Sequence, residues 1–346
     1  MAAQLAFASD YMEGAHPAIL KKLAETNLIK SAGYGLDEYS ETAREKIRKA
    51  CNAPEAEVHF LVGGTQTNAT VIGALLASYQ GVIAAETGHV SSHEAGAIEA
   101  GGHKVLTIPQ TDGKISAEKV EEVLNTFKED GNRDHMVMPG MVYISQPTEY
   151  GTLYNRQELE ALSKVCRSNG IPLYLDGARL AYALACSVND VTACCDAFYI
   201  GGTKCGALFG EAVVFPKPGL IPHFFTIIKQ HGALLAKGRI LGIQFDVLFE
   251  NDLYEHIGEP AIAAADKIRE GLKENGIELY LDAPTNQVFC VVENAFMEKL
   301  AQKVEFSFWE KKDENHTVIR FATSWATTME DVDELIKWIK QKKNRN

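Results

Sequence analysis

Three segments of this 346-residue chain place chemistry-bearing residues beside glycine, each immediately after a short apolar run. The first is Gly63-Gly64-Thr65-Gln66-Thr67-Asn68. Glycines between a strand and a helix let backbone approach a ligand, and the helix start presents free N–H groups to an anion, with Thr65 and Gln66 as side-chain donors. A phosphate cradle and a plain capped helix start both fit. The segment has neither the GK[ST] of a nucleotide-binding P-loop nor a GxGxxG pattern, so ATP and NAD are poor candidates. The second is Leu173-Tyr174-Leu175-Asp176-Gly177-Ala178-Arg179. An aspartate closing an apolar strand is costly unless it has a partner, and Arg179, three residues on, could be that partner in a buried ion pair. The third is Gly201-Gly202-Thr203-Lys204-Cys205-Gly206. A lysine in such a turn is either an exposed loop cation or, if desolvated, a neutral nucleophilic amine suited to imine chemistry.

Taken together, a phosphate cradle, a carboxylate able to pair with a pyridinium nitrogen and an imine-forming lysine are the parts that a pyridoxal phosphate site needs. Other readings are weaker. His89 and His93 stand at i, i+4 with Glu94 adjacent, but the order is not HExxH and there is no third ligand, so no metal is expected. Cys194, Cys195 and Cys205 read as small buried thiols. No GxSxG elbow occurs.

These residues need elements to hold them. Strand patterns at 57–62, 82–86, 104–109, 141–146, 172–176, 197–200 and 211–215 alternate with helical patterns beginning after 68 and near 91, 116 and 157. Such alternation predicts an α/β fold with a mostly parallel central sheet flanked by helices, whose ligand site lies beyond the carboxyl ends of the strands. After about residue 220 a long helical stretch leads into a smaller α+β region, with strands at 277–281, 287–293 and 318–324. The expected division is a large cofactor-binding domain at 17–255 and a small domain made from 1–16 and 256–346.

With these motifs in place, the chain resembles the aspartate-aminotransferase fold and, within it, the threonine aldolase and β-eliminating lyase group. The resemblance rests on Ser9-Asp10, Val62 to Asn68, His89 with Glu94-Ala95-Gly96, Asp176-Gly177-Ala178-Arg179, Thr203-Lys204, and Arg320 in Val318-Ile319-Arg320-Phe321, in this order from residue 9 to residue 320. It implies pyridoxal 5′-phosphate as cofactor. It implies that Lys204 forms the imine, that Asp176 keeps the pyridine nitrogen charged, and that His89 stacks on the ring. Gly64, Thr65, Gln66 and Thr203 would contact the phosphate, while Ser9, Arg179 and Arg320 would grip a substrate carboxylate. The implied reaction is retro-aldol cleavage of threonine, allo-threonine or a related β-hydroxy-α-amino acid to glycine and an aldehyde. β-Elimination on the same fold and non-catalytic cofactor binding are the alternatives. The match has departures. Where the family carries a second histidine, this chain reads Ser145-Gln146-Pro147-Thr148-Glu149, which leaves the base role to His89, a water or Glu149. Near the phosphate, Lys237 stands where relatives carry arginine.

Composition narrows the setting. With 46 acidic against 34 basic residues the net charge is −12, unsuited to nucleic acid or anionic lipid. No apolar run approaches the ~20 residues needed to span a bilayer, and the opening residues lack the pattern of a secretory signal. Seven cysteines, an odd number without a CxxC pair, argue against a disulfide framework and for a reducing cytoplasm. The resemblance also implies a homodimer or homotetramer with its active site at the subunit interface, and Tyr34 to Tyr39 as the segment reaching a neighbour.

Overall fold

The computed structural model describes residues 4–184 and 191–343. Its main sheet has seven strands, in the spatial order Glu57–Leu61, Glu211–Phe215, Ala197–Gly201, Leu173–Asp176, Met138–Ser145, Gln80–Ala85 and Val105–Ile108. Every pairing is parallel except the two made by Glu211–Phe215, which runs against both neighbours. The fold is therefore α/β with a mostly parallel sheet, as the alternation predicts. The strands read as apolar runs because both faces are covered. Ile83, Val142, Leu173 and Phe198 pack into one apolar layer, while Val82, Met141, Tyr174 and Tyr199, the residues beside them in the chain, pack into the other.

The predicted helices form, with shifted ends. Ser116 accepts from the Lys119 amide at the start of Ala117–Glu129, and Asn155 with Glu158 makes a capping box at the start of Arg156–Ser168. The helix expected around 91–100 is broken. Ala95 and Gly96 both take positive φ, 52° and 71°, which splits it into His89–Ser92 and Ala97–Ala100. The long stretch after residue 220 resolves into Phe224–Gln230, Arg239–Leu248 and Leu253–His256.

The C-terminal part carries its own antiparallel sheet, ordered Ser307–Lys311, His316–Ala322, Gln287–Glu293 and Leu279–Leu281. Its apolar core joins Ile268, Leu272, Ile319 and Leu335 to Leu5 and Phe7 from the N-terminal strip. That strip is held by the two-residue parallel pairing of Leu5–Ala6 with Val304–Glu305 and by the Ala322 amide on the Phe7 carbonyl. Helix Glu259–Glu274 serves both parts: Ala261 packs in the large core, and Ala264, Ala265 and Ile268 pack in the small one. Among the described residues, no helix is long and apolar enough to cross a membrane.

Candidate active site

Five parallel-strand ends open onto one cleft of about 590 Å³, closed from the other side by the small sheet and the N-terminal strip. A larger cavity of about 710 Å³ beside Cys51, Leu180 and Tyr254 brings together none of the residues singled out above. The cleft gathers Gly64, Thr65, His89, Asp176, Arg179, Thr203, Lys204 and Arg320. Ser9, Gln66 and Lys237 do not line it.

The turns carrying Asp176 and Lys204 are brought together by two glycines. A Cβ on Gly177 would sit 2.1 Å from the Tyr199 carbonyl oxygen, and one on Gly201 would sit 2.3 Å from that of Ala178. Only glycine permits this backbone contact, which the Gly201 amide completes by donating to the Gly177 carbonyl at 3.0 Å. The contact sets the turns that carry Asp176 and Lys204 against each other, and both side chains line the cleft.

Asp176 is buried and has no described cation within ion-pair distance. Its Oδ2 accepts from Asn68 Nδ2 at 3.0 Å and Tyr143 Oη at 2.7 Å, and its Oδ1 from the Ala178 amide at 3.0 Å. Burial alone would raise its pKa. The nearby His89 and the hydrogen bonds from Tyr199, Asn68 and Tyr143 outweigh burial and hold it below the ordinary aspartate range. Burial keeps the phenols of Tyr143 and Tyr199 protonated, so they act as donors. Asp176 is thus an ionised carboxylate facing the cleft without a counter-charge.

Lys204 follows strand Ala197–Gly201, where the sequence placed it. Burial, and then the Arg179 guanidinium, lower its pKa and so favour the neutral amine. Its Nζ lies 5.9 Å from the ring centre of Tyr11. The turn is tied down by Glu211, which accepts from the Gly202 amide at 3.1 Å and the Thr203 hydroxyl at 2.8 Å. Burial pushes Glu211 up to about 8. The Thr203 hydroxyl also accepts from the Gly210 amide. The proton with which it would meet a phosphate is thus committed to Glu211, a residue the sequence reading did not single out.

Helix Gly64–Leu75 begins at the cleft. The Gly63 carbonyl accepts from the Thr67 amide, which leaves the amides of Gly64, Thr65 and Gln66 without a helical partner. Gln66 itself turns away. Its amide group donates to the His231 carbonyl at 2.9 Å, so its side chain braces a loop instead of facing the cleft. Lys237 is exposed outside the cleft.

His89 lines the cleft at the start of a short helix. Its Nδ1 lies 2.7 Å from Glu94 Oε1, so the carboxylate holds the proton on Nδ1. Asn68 ties this pair to the cleft floor by donating to both Glu94 Oε1 (2.7 Å) and Asp176 Oδ2, while its own carbonyl accepts from Tyr174 Oη at 2.9 Å. The His93 and His89 rings stack 5.8 Å apart, and the Trp309 ring lies 6.3 Å beyond His93. No metal-binding group of three is formed among the described residues.

The two arginines differ sharply. Arg179 forks onto Asp10, with Nε–Oδ2 at 2.6 Å and Nη2–Oδ1 at 2.9 Å. The buried pair proposed from sequence therefore exists with Asp10 as the acid, not Asp176, and the fork expected on a substrate carboxylate is already filled. The pairing pulls Asp10 down to about 2. Arg320 has no carboxylate. It donates to Gln287 Oε1, the Ala8 carbonyl and Ser307 Oγ at 2.9–3.2 Å, and its buried Nε has no partner. Gln287 Nε2 is also buried without one. Burial lowers Arg320 to about 10, still charged at neutral pH. Ser9 is half-buried outside this group, and the neighbouring Ala8 supplies a carbonyl in its place.

An α/β sheet with a desolvated amine, an uncompensated carboxylate and an open guanidinium at its strand ends defines an enzyme that works on a small anionic substrate through amine chemistry. The family model described as beta-eliminating lyase matches residues 6–295, and the chain belongs to that family. It is 31% identical over 342 residues to the low specificity L-threonine aldolase of Pseudomonas aeruginosa, covering 96% of each chain. The corresponding protein of a Pseudomonas species is 32% identical over 337 residues, covering 95% of each. Among solved structures, Leishmania major threonine aldolase is 40% identical with a TM-score of 0.94, covering 98% of this chain and 99% of that one. A Thermus thermophilus aspartate aminotransferase, at 14% identity and a TM-score of 0.72, shares the fold.

Proposed function

We propose that this enzyme is a pyridoxal-phosphate-dependent threonine aldolase that cleaves L-threonine, allo-threonine and related β-hydroxy-α-amino acids to glycine and an aldehyde. The observation that carries the reading is the Asp176–Lys204 apposition facing an Arg320 that lacks a carboxylate. The cleft fits the cofactor. Asp176 is an ionised acceptor without a cation, and the amides of Gly64 and Thr65 are donors without acceptors at the glycine-bearing end. When bound, the cofactor supplies an electron sink for the bond broken at Cα. Lys204 would hold it covalently through Nζ, Asp176 would keep its ring nitrogen protonated, and the His89 ring would cover one face. Arg320, with Gln287 Nε2 beside it, would bind the substrate carboxylate and so orient the Cα–Cβ bond. Arg179 contributes charge to this end while its fork stays on Asp10.

The same reading extends to the setting. We take 17–255 as the cofactor domain and 1–16 with 256–346 as the small domain, supported by the separate C-terminal core. A homodimer or homotetramer is favoured by apolar side chains left in solvent, Leu28 at 92% and Leu36 at 66% exposure, the latter in the segment expected to reach a neighbour. The six described cysteines are free, and all but Cys51 are buried, which suits a reducing cytoplasm.

The test is to load purified protein with pyridoxal phosphate and offer a panel of β-hydroxy-α-amino acids. Equimolar glycine and aldehyde are expected, and both are expected to vanish in Lys204→Ala. Pyruvate with ammonia in place of glycine, or full activity in Lys204→Ala, would overturn the reading.

A further inference from the structure

Glu149 is a carboxylate on the cleft wall with no described cation in ion-pair range. It follows strand Met138–Ser145, between the ends that carry His89 and Asp176. Two donors converge on its Oε1: Ser145 Oγ at 2.7 Å and the His89 amide at 2.9 Å. Of the other acid–base groups of the cleft, Asp176 and Glu211 are engaged, and the two histidines keep only Nε2, that of His89 on the ring that would cover the cofactor. Asp176 is held by three phenol or amide side chains, Glu211 by Thr203 and Gly202, His89 Nδ1 by Glu94, and His93 Nδ1 by Ser92 at 2.6 Å.

We propose that Glu149 is the catalytic base that takes the β-hydroxyl proton of the substrate during carbon–carbon cleavage. The inference rests on the aldolase reading. As the O–H bond gives up its proton to the carboxylate, its electron pair forms the aldehyde C=O. The Cα–Cβ bond breaks, its pair stays with Cα, and Cα takes up one proton to complete glycine. Substrate atoms and protons balance without any further reagent. The carboxylate is suited to this task. Burial raises its proton affinity, and Asp176 raises it further, while the Ser145 hydroxyl and the His89 ring hold it down. The phenols of Tyr143 and Tyr154 and the Arg179 guanidinium are the remaining groups that sense its charge.

A hydrogen-bonded path also runs inward from it. Ser145 Oγ lies 3.2 Å from Tyr143 Oη, which donates to Asp176 at 2.7 Å. The single Ser145 proton serves Glu149 while that group is ionised. It can turn to Tyr143 once Glu149 is protonated, so the base and the cofactor-facing carboxylate are linked.

The test compares wild type, Glu149→Gln and Ser145→Ala as loaded enzymes. In Glu149→Gln, threonine cleavage is expected to fall at least ~100-fold. Threonine binding, read as a change in the cofactor absorption, and exchange of the glycine α-hydrogen with solvent deuterium, read by NMR, should each stay within about threefold, since neither requires a β-hydroxyl base. In Ser145→Ala the acid limb of the kcat/KM profile should move to higher pH, because a donor to the ionised carboxylate is gone. Cleavage kept within about threefold in Glu149→Gln, a parallel fall of binding, exchange and cleavage, or an acid limb that does not move in Ser145→Ala would each overturn the proposal. A wild type that cleaves no β-hydroxy amino acid would overturn the aldolase reading itself. A fully active wild type paired with a fully active Glu149→Gln overturns this inference alone.

Discussion

Replacing Asp10 by asparagine should expose how the two halves of the cleft are locked together. Asp10 is 1% exposed, receives the Arg179 fork from the large sheet, and accepts Asn286 Nδ2 from the small one at 2.8 Å. Asp10→Asn keeps the shape and removes the charge, leaving Arg179 buried without its counter-ion. The carboxyl is held at about 2 against an ordinary 3.8. At about 1.4 kcal/mol per pH unit, that gap corresponds to about 2.5 kcal/mol. Stranding a buried cation raises the cost to a range of about 3–5 kcal/mol. Because the native value is depressed, this stabilisation is present in full above about pH 5 and is lost as pH falls from there toward 2. Urea unfolding of the two proteins, matched in cofactor content, should show the variant less stable by at least about 2.5 kcal/mol at pH 7. Its stability should also fall less steeply between pH 5 and 3. Removing both charges, in Asp10→Asn with Arg179→Met, should cost less than the two single changes added. A variant within 0.5 kcal/mol of wild type at pH 7 (~0.5 is the usual surface effect), or one with an unchanged acid slope, would refute the argument.

Three further outcomes are expected. Asp176→Asn, which keeps its shape but is neutral, should lower threonine turnover at least ~100-fold with an unchanged far-ultraviolet spectrum, as measured by steady-state kinetics and circular dichroism. Gly63→Ala should leave the thermal midpoint of the cofactor-free protein unchanged, since its backbone is extended and an added Cβ meets nothing within 4 Å; the methyl should nonetheless weaken pyridoxal phosphate binding about tenfold in an equilibrium titration by crowding the cleft. Burial pushes the Cys51 thiol up to about 11 and those of Cys166, Cys205 and Cys290 up to about 12; with Cys186, which lies outside the described residues, replaced as Cys186→Ser, native protein should react with a thiol-specific disulfide reagent at least ~100-fold more slowly than unfolded protein.

The reactive floor of the cleft was legible because its residues are anomalous in their local context. A lysine and an aspartate beside glycines at strand ends stand out, and the glycines are there because two backbone turns touch. What escaped depends on distance along the chain. Arg179 meets Asp10 across 169 positions, so the nearer Asp176 was the natural partner to test from spacing. Gln66 carries the right donor, yet only the fold shows that His231 takes it. Strand Ser307–Lys311 gives no clear pattern in the sequence, although Ser307 and Trp309 line the cleft. Its register slips against Ile319 and Val318 between Phe308 and Glu310, which blurs the alternation a strand should show. Glu211 lay in plain view as the first residue of a correctly placed strand. The signal was a charge opening an apolar run, the mirror image of Asp176 closing one.

The placement of the N-terminal strip has a consequence for how the molecule is made. Leu5 and Phe7 bond to the carbonyls of Lys303 and Glu305, and Phe7 accepts from Ala322. During synthesis these residues leave the ribosome together but find their neighbours only after some three hundred more have been added. The seven-stranded sheet is complete once Phe215 has emerged, with Arg179 still lacking Asp10 in place and Arg320 not yet made. A nascent chain therefore passes through a stage with a formed cofactor platform and no substrate grip. Ribosome-bound chains stopped near residue 260 should bind pyridoxal phosphate before any length of chain can turn over threonine.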